Sequence, residues 1–485
     1  MAQCKYEKSY KDIETGEEKN YSCKKIAWRA NKCKLHHERY LKPNTSEEIK
    51  EIFEEEKNNS KMHPNEPLLC IGYNLPTIEL AEDKKIDFII YFIDTKFRNK
   101  IDFSKIVFTK PISFNGANFH DEVSFTASTF EQKVDFDNAK ILGKLCSFQF
   151  TKSSKSITFS YGEIHNATFN QIEFNEADFN HCTFLNKASF YKAKFYKNII
   201  FEEAKFQNDS DFSEAEFMDD VNFNNSRFLD YANFSNVKFC KDSKTRFNGN
   251  ISNISFLNTK MEGIDFGDKI MWKEIKNSES LMDKMRSKLN WKTNSDYKIY
   301  DERKLEKELK KNEKTNINLE SIKNAYRSLR ENFDLNLRYE IAGEFHVREM
   351  ELRRRYVEKQ NEESIFTVKK SIFWKHFSIY WIYNILAQYG QSYQRPICWT
   401  VFLITIATSY FFKNDVEHQV LEKLTYSPFD LLGKALARSL AGIIPFDIVN
   451  KPSATADIVL RLALLPVTGT FFIALKRKME RKLRH

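Results

Sequence analysis

The stretch FNEADFNHCTF, residues 174–184, sets phenylalanine at 174, 179 and 184, with Ala177 two places before the middle one. The stretch FSEAEFMDDVNF, residues 212–223, repeats the scheme with Phe212, Phe217 and Phe223, preceded at the same distance by Ala215 and Val221. A helix would scatter residues five or six apart over different faces, and a strand would alternate every two residues. A chain that turns a corner every five or six residues fits both stretches. On each side the phenylalanine and the small residue two before it point inward, as on a short extended segment.

Working outward, the same phenylalanine step runs through 103, 108, 114, 119, 125, 130 and 136, and again from 169 to 239. The chain spends 43 Phe but only 13 Gly, which suits a periodic core. Four sides make one coil, and stacked coils repeat at the β-ladder spacing of about 4.8 Å. Phe119, Phe179, Phe190, Phe206, Phe217, Phe228 and Phe239 are then core residues. No coil buries its rings alone, so stacking neighbours supply the stability. The pattern weakens between Ile141 and Ile164, where a bulged side is expected.

The two quoted stretches resemble the pentapeptide-repeat family. The resemblance implies a right-handed quadrilateral β-solenoid over 101–268, followed by an α-helical connector and an α-helical membrane domain. The chain divides accordingly into a zinc knuckle at 1–45, a linker or cap at 46–100, the solenoid, a charged helical connector at 269–367 and an interfacial helix at 368–395. A two-span membrane domain at 396–475 and a basic tail at 476–485 complete it.

Cys4, Cys23, Cys33 and His36 form a Cys3His set closed by a short Cys-x2-His knuckle. Four such ligands suit tetrahedral zinc, and a filled set of four is structural rather than catalytic. His37 can replace His36, and Cys70 or His63 can supply a ligand instead. The segment resembles the Cys3His start of some pentapeptide-repeat membrane proteins. No apolar leader follows Met1, so these thiols are expected in a reducing cytosol.

Residues 299–360 are rich in Lys, Glu and Arg at helical spacing, and read as two helices joined near Asp334 to Arg338. Tyr326, Leu329 and Phe333 are expected to face Ala342, Phe345 and Met350. This resembles the helical hairpin that links solenoid and membrane domain in membrane-bound members of the family. Interleaved Glu residues argue against a nucleic-acid face.

PICWTVFLITIATSYFF (396–412) and DIVLRLALLPVTGTFFIAL (457–475) are apolar enough to span a bilayer. The segment between them carries Lys434 and Arg438 and reads as a re-entrant helix. Lys369, Lys370, Lys375 and Arg395 precede the first span, and Lys476, Arg477 and Lys478 follow the second. Both termini are therefore expected in the cytoplasm, with two crossings of the cell membrane. The layout resembles the span, pore helix, span unit of two-helix ion channels. A carbonyl filter sequence is missing, so Lys434, Arg438, Gly442, Pro445, Asp447 and Arg461 are the pore and re-entrant candidates. A pore from two-span subunits requires a homo-oligomer. Three functions compete: a gated pore sensed by the solenoid, a membrane-anchored scaffold with a protein partner on the solenoid, and a DNA mimic favoured by the acidic run from Glu202 to Asp220. There is no phosphate-binding glycine loop, nucleophile motif or HExxH, which gives an enzyme no support.

Overall fold

The structure, a computed structural model, describes residues 5–25, 43–63, 66–78, 84–240, 242–268, 270–272, 297–311, 318–364, 379–422, 428–441 and 454–483. They fall into two compact units, Met1–Ser328 and Leu329–His485.

The first unit is a four-sided parallel β-solenoid. Its strands are mostly two residues long, and each pairs only with the strands one coil before and one coil after it. On one side Ala177 pairs with Ile199 and Ile199 with Val221; on the next, Thr183 with Lys205 and Lys205 with Arg227. The third side pairs Ala188 with Ser210 and Ser210 with Ala232, and the fourth pairs Lys194 with Glu216 and Glu216 with Lys238. Five- and six-residue sides alternate around each regular coil.

The difference between the two side lengths is a backbone matter. On the short sides a turn closes from the phenylalanine carbonyl to the amide three residues on, as from Cys182 to Phe179 at 3.0 Å and from Ala204 to Phe201 at 3.1 Å. The third turn residue is left-handed: His181 at φ 54°, Lys192 at 55°, Glu203 at 54°, Glu214 at 57°. This is the pattern of a type II turn, which ordinarily calls for glycine or asparagine at that place. Side chains with a Cβ are held there because each left-handed amide also donates to the next coil, His181 to the Glu202 carbonyl at 2.9 Å and Glu203 to that of Asn224 at 2.9 Å.

Inside, two phenylalanine columns stand side by side. One runs Phe92, Phe114, Phe136, Phe159, Phe179, Phe201, Phe223 and Phe247, with successive ring centroids 4.6–5.4 Å apart. The other runs from Phe103 to Phe234 through Phe125, Phe148, Phe169, Phe190 and Phe212 at 4.5–5.0 Å. The columns meet edge to face, for instance Phe190 against Phe201 at 5.5 Å and 88°. Offset stacks and edge contacts are the favoured aromatic geometries, so one arrangement satisfies both. Where serine or threonine takes the small inward position on a short side, its hydroxyl caps a phenylalanine carbonyl one coil earlier. Ser226 does so to Phe201 at 2.8 Å and Thr151 to Phe125 at 2.7 Å, whereas on the long sides the buried hydroxyls of Ser210 and Thr245 make no such bond.

Of the expected core residues, Phe119, Phe179, Phe190, Phe206, Phe217 and Phe228 are buried, while Phe239, last in its column, is half-buried. The expected bulge is present: the seven-residue strand Lys152–Thr158 shifts register between Ser153 and Ser156 against the strand Glu173–Asp178. The ladder also reaches further back than Ile101. Leu68–Leu69 already pairs with Ile90–Tyr91, inside the segment read as linker or cap.

Both ends of the ladder are covered. Helix α1 (Pro43–Met62) lays Phe53 over Phe92, ring to ring at 6.4 Å. A hairpin of β1 (Glu7–Lys11) and β2 (Glu18–Ser22) packs Tyr6, Tyr10, Ile13 and Tyr21 on Ile71, Tyr91 and Ile93. At the far end Trp272 closes over Phe266 at 5.7 Å, and α2 (Tyr300–Lys310) is tied down by Asp301, which accepts from Ser255 at 2.8 Å. Covering open edges in this way blocks end-to-end association of ladders.

Helix α3 (Leu319–Leu335) begins in the first unit, and the turn to α4 (Tyr339–Ser364) falls where the sequence placed it, with Leu337 left-handed at φ 59°. Phe333 meets Phe345 at 5.4 Å as expected, and Leu329 and Ala342 are buried. Tyr326 departs from the expectation. Its hydroxyl receives the Ile299 amide at 3.1 Å and donates to Glu302 of α2 at 2.5 Å, because a buried tyrosine needs a partner for its O–H.

Among the described residues the second unit continues with α5 (Ile379–Ala387), α6 (Gln394–Glu422), α7 (Pro428–Ala441) and α8 (Ala454–Leu483). Ala407 and Phe411 of α6, Ala435 of α7, and Leu460 and Leu464 of α8 form one apolar cluster.

Candidate functional site

Helices α6 and α8 contain Gln394–Lys413 and Val459–Arg477, each long and apolar enough to cross a membrane, and only 17% and 22% buried. Their outer faces expose Val401, Phe402, Ile406 and Tyr410, and Val459, Leu462, Leu465 and Phe472. Exposed apolar side chains in such number suit a membrane or partner surface. Between them α7 has 14 residues, about 21 Å at the helical rise and shorter than a bilayer core. It is pinned by Ala435 and by Ser439, which accepts from Thr408 of α6 at 3.1 Å.

The sequence-predicted pore residues distribute as follows. Lys434 is exposed on α7, and Arg438 lies one turn further along the same helix. Arg461 is half-buried on α8. Gly442, Pro445 and Asp447 lie outside the described residues. Ser439 and Thr408, which fix α7 on α6, carried no sequence signal, since lone hydroxyls in apolar helices have no periodic signature.

Of the zinc set, Cys23 follows β2, is fully buried, and donates its amide to the Tyr6 carbonyl at 3.0 Å. Cys4, Cys33, His36 and the alternative His37 lie outside the described residues. Cys70 is buried in the first coil, and burial pushes its thiol well up from the ordinary value. Among the described residues no group of three or more His, Cys, Asp or Glu is placed to hold a metal ion.

The solenoid surface carries columns of side chains at one-coil spacing. The left-handed column places Tyr161 on His181, rings 4.7 Å apart, and His181 faces Glu203 at 3.3 Å. On the fourth side Lys152 meets Glu173 at 3.1 Å and Lys238 meets Glu216 at 2.6 Å, and beside them Lys192 meets Glu214 at 3.4 Å. These pairs border a shallow groove lined also by Phe150, Ile172 and Lys194. Within the run from Glu202 to Asp220, Glu214 and Glu216 thus face Lys192 and Lys238 of neighbouring coils. Near β1, Asp137 is pushed up to about 6 by burial and by the adjacent Asp135.

Residues 92–140 and 190–238 match the family model described as Pentapeptide repeats (9 copies). No curated protein and no solved structure matches the chain. The stretch between the matched segments contains the bulged strand at Lys152–Thr158, and in the coil from Phe159 to Phe179 every side is five residues long, so the alternation of five and six is lost there. Sequence match and coil geometry agree that the first unit is built on a pentapeptide-repeat solenoid.

Proposed function

We propose that this is a non-catalytic, membrane-embedded protein whose two spans and short intervening helix assemble with further copies into an ion-channel-like pore, sensed or gated by the cytoplasmic solenoid. The observation that carries the reading is α7, a helix too short to cross, held at Ala435 and Ser439 against a spanning helix while Lys434 is exposed. A cation on a membrane helix faces a bundle interior or a water-filled cavity, which several copies around one axis provide. Positive residues before the first span and after the second favour cytoplasmic termini. A structural zinc on Cys4, Cys23, Cys33 and His36 would hold the N-terminal segment together, and the deep burial of Cys23 is compatible with that role.

Single-channel recording from the purified full chain in planar bilayers tests the pore. Discrete steps are expected, with an ion preference that shifts in Lys434→Glu and an oligomeric mass in detergent. Silence under all conditions together with a monomeric mass refutes it. Elemental analysis tests the zinc. A second reading, a membrane-anchored scaffold that binds a protein partner, is favoured by the charged groove on the fourth side of the solenoid.

A further inference from the structure

Between α5 and α6 the chain makes an unusual corner. Gln388, Tyr389 and Gly390 are all left-handed, at φ 48°, 54° and 79°. Single residues visit this region, but runs of three are disfavoured for residues with a Cβ, so the surroundings must hold the corner in place. They do so through nearly every polar atom. Gly390 and Ser392 donate their amides to the Ala387 carbonyl at 2.9 and 3.1 Å. The side chains of Arg395 and Trp399 take the carbonyls of Asn384 and Ile385 at 3.2 and 3.3 Å.

Two further contacts tie the corner to distant helices. The hydroxyl of Tyr389, a fully buried residue, donates to Glu351 of α4 at 2.9 Å, and the Tyr389 carbonyl accepts from Arg477 of α8 at 2.7 Å. Arg477 also lies 3.1 Å from the His346 ring, one turn and a half before Glu351 on α4. His346 in turn neighbours Arg330, which is paired with Glu349 at 2.5 Å. Glu351 is ionised: although burial raises its carboxyl, hydrogen bonds from Arg354 and Tyr389 hold it below the usual range. Its bonds are therefore of the stronger, charge-assisted kind. Glycine suits position 390 through its φ of 79°, and a Cβ there, 2.5 Å from the Tyr383 hydroxyl and 3.0 Å from Arg477, would displace both side-chain ends.

We propose that the Glu351–Tyr389–Arg477 chain is a clamp that couples the connector helix α4 to the end of the last span, with the left-handed corner as its two-state element. While the corner is left-handed, the Tyr389 carbonyl faces Arg477 and the hydroxyl faces Glu351, so α4 and the end of α8 move together. Relaxation of Gln388 and Tyr389 to the right-handed region turns the carbonyl away from Arg477, which then keeps the His346 ring but loses its tie to the corner. Tyr389 and Arg477 are thus positioning residues for the second unit. A coupling claim needs an element that both ends bias, and this corner is biased from α4 by Glu351 and from α8 by Arg477. The clamp does not depend on conduction and stands whether the membrane unit is a pore or an anchor.

The test is amide hydrogen exchange on the full chain in detergent, comparing wild type with Glu351→Gln, Tyr389→Phe, Arg477→Gln and the Glu351→Gln/Arg477→Gln double variant. The expected result is exchange faster by roughly tenfold or more both at Gly390 and Ser392 and at the end of α8 in each single variant. The double variant is expected to be no faster than the singles. Solenoid amides serve as the folding control and are expected to be unchanged. Arg477→Lys, which keeps the charge and one donor, is expected to restore most of the protection. The proposal is overturned if Glu351→Gln leaves the α8 end unchanged, or if the two single effects simply multiply in the double variant.

Discussion

Replacing Phe201 by alanine removes the ring that the solenoid core depends on most evenly. Phe201 is fully buried and stacks on Phe179 and Phe223 at 4.9 Å each, within 3° of parallel. It also meets Phe190 and Phe212 edge to face at 5.5 and 5.6 Å. Truncating a buried phenylalanine costs about 3–5 kcal/mol where the site cannot collapse. Here collapse is blocked, because the ladder fixes the distance between the coils above and below. Each aromatic pair adds about 0.5–1.5 kcal/mol beyond area burial, which places Phe201→Ala at the upper end, about 4–5 kcal/mol. That corresponds to a roughly thousandfold loss of amide protection in the coils flanking residue 201. Amide exchange measured by mass spectrometry on peptides covering 195–217 reads it directly. Phe150→Ala is the control: Phe150 is 48% exposed at a corner, and its loss should cost under about 1 kcal/mol. If the two variants lose the same protection, the stacked rings are not what holds the coils together, and the ladder of backbone hydrogen bonds must carry the stability instead.

Three further outcomes follow from the geometry. At the left-handed turn position, Glu203→Gly is expected to be neutral or stabilising by up to about 1 kcal/mol, whereas Glu203→Val should destabilise by about 1–2 kcal/mol; equal melting temperatures for the two would contradict the turn assignment. Asp301 is pushed up to about 6 by burial, so its folded form holds a proton more tightly than the unfolded chain and its contribution to stability falls as pH rises from 4 through 6. Asp301→Asn should therefore stabilise the docking of α2 by about 1–3 kcal/mol at pH 7.5 and leave it unchanged below pH 4; an unaltered pH profile in the variant would count against it. The pair of Lys238 and Glu216 is exposed on the lysine side, so Glu216→Gln should change stability by less than about 1 kcal/mol in urea unfolding, and a larger loss would show that the fourth-side charges act as a network.

The phenylalanine step made the solenoid legible from sequence because its period is dictated by the corner geometry and repeats through stacked coils. The small inward residue was legible for the same reason. The coil at Leu68 was hidden, since Leu68 and Ile90 fill the place where the motif elsewhere shows its small residue, and Tyr91 stands at the place between small residue and phenylalanine, under the β1–β2 hairpin. The left-handed corners were hidden too: Glu, Lys and His give no hint of positive φ, and only the amide of each one pairing with the next coil makes the conformation tolerable. The spans were visible as apolar runs, and the short helix between them as a run interrupted by Lys434 and Arg438. The clamp at Tyr389 left no trace, because Glu351, Tyr389 and Arg477 lie far apart in the chain and belong to no repeat.

The left-handed corners also separate what the solenoid is from what it shows. Because backbone bonding between coils sets each corner, the side chain there need only avoid β-branching, and the same place is filled by Asp94, Tyr161, His181, Glu203 or Asn225 as coil follows coil. With one such residue about every 4.8 Å along each of two edges, the rod behaves as a tape on which single letters can be rewritten without disturbing the spool. A change of binding partner then requires a few substitutions at fixed, countable positions, and the fold is inherited intact.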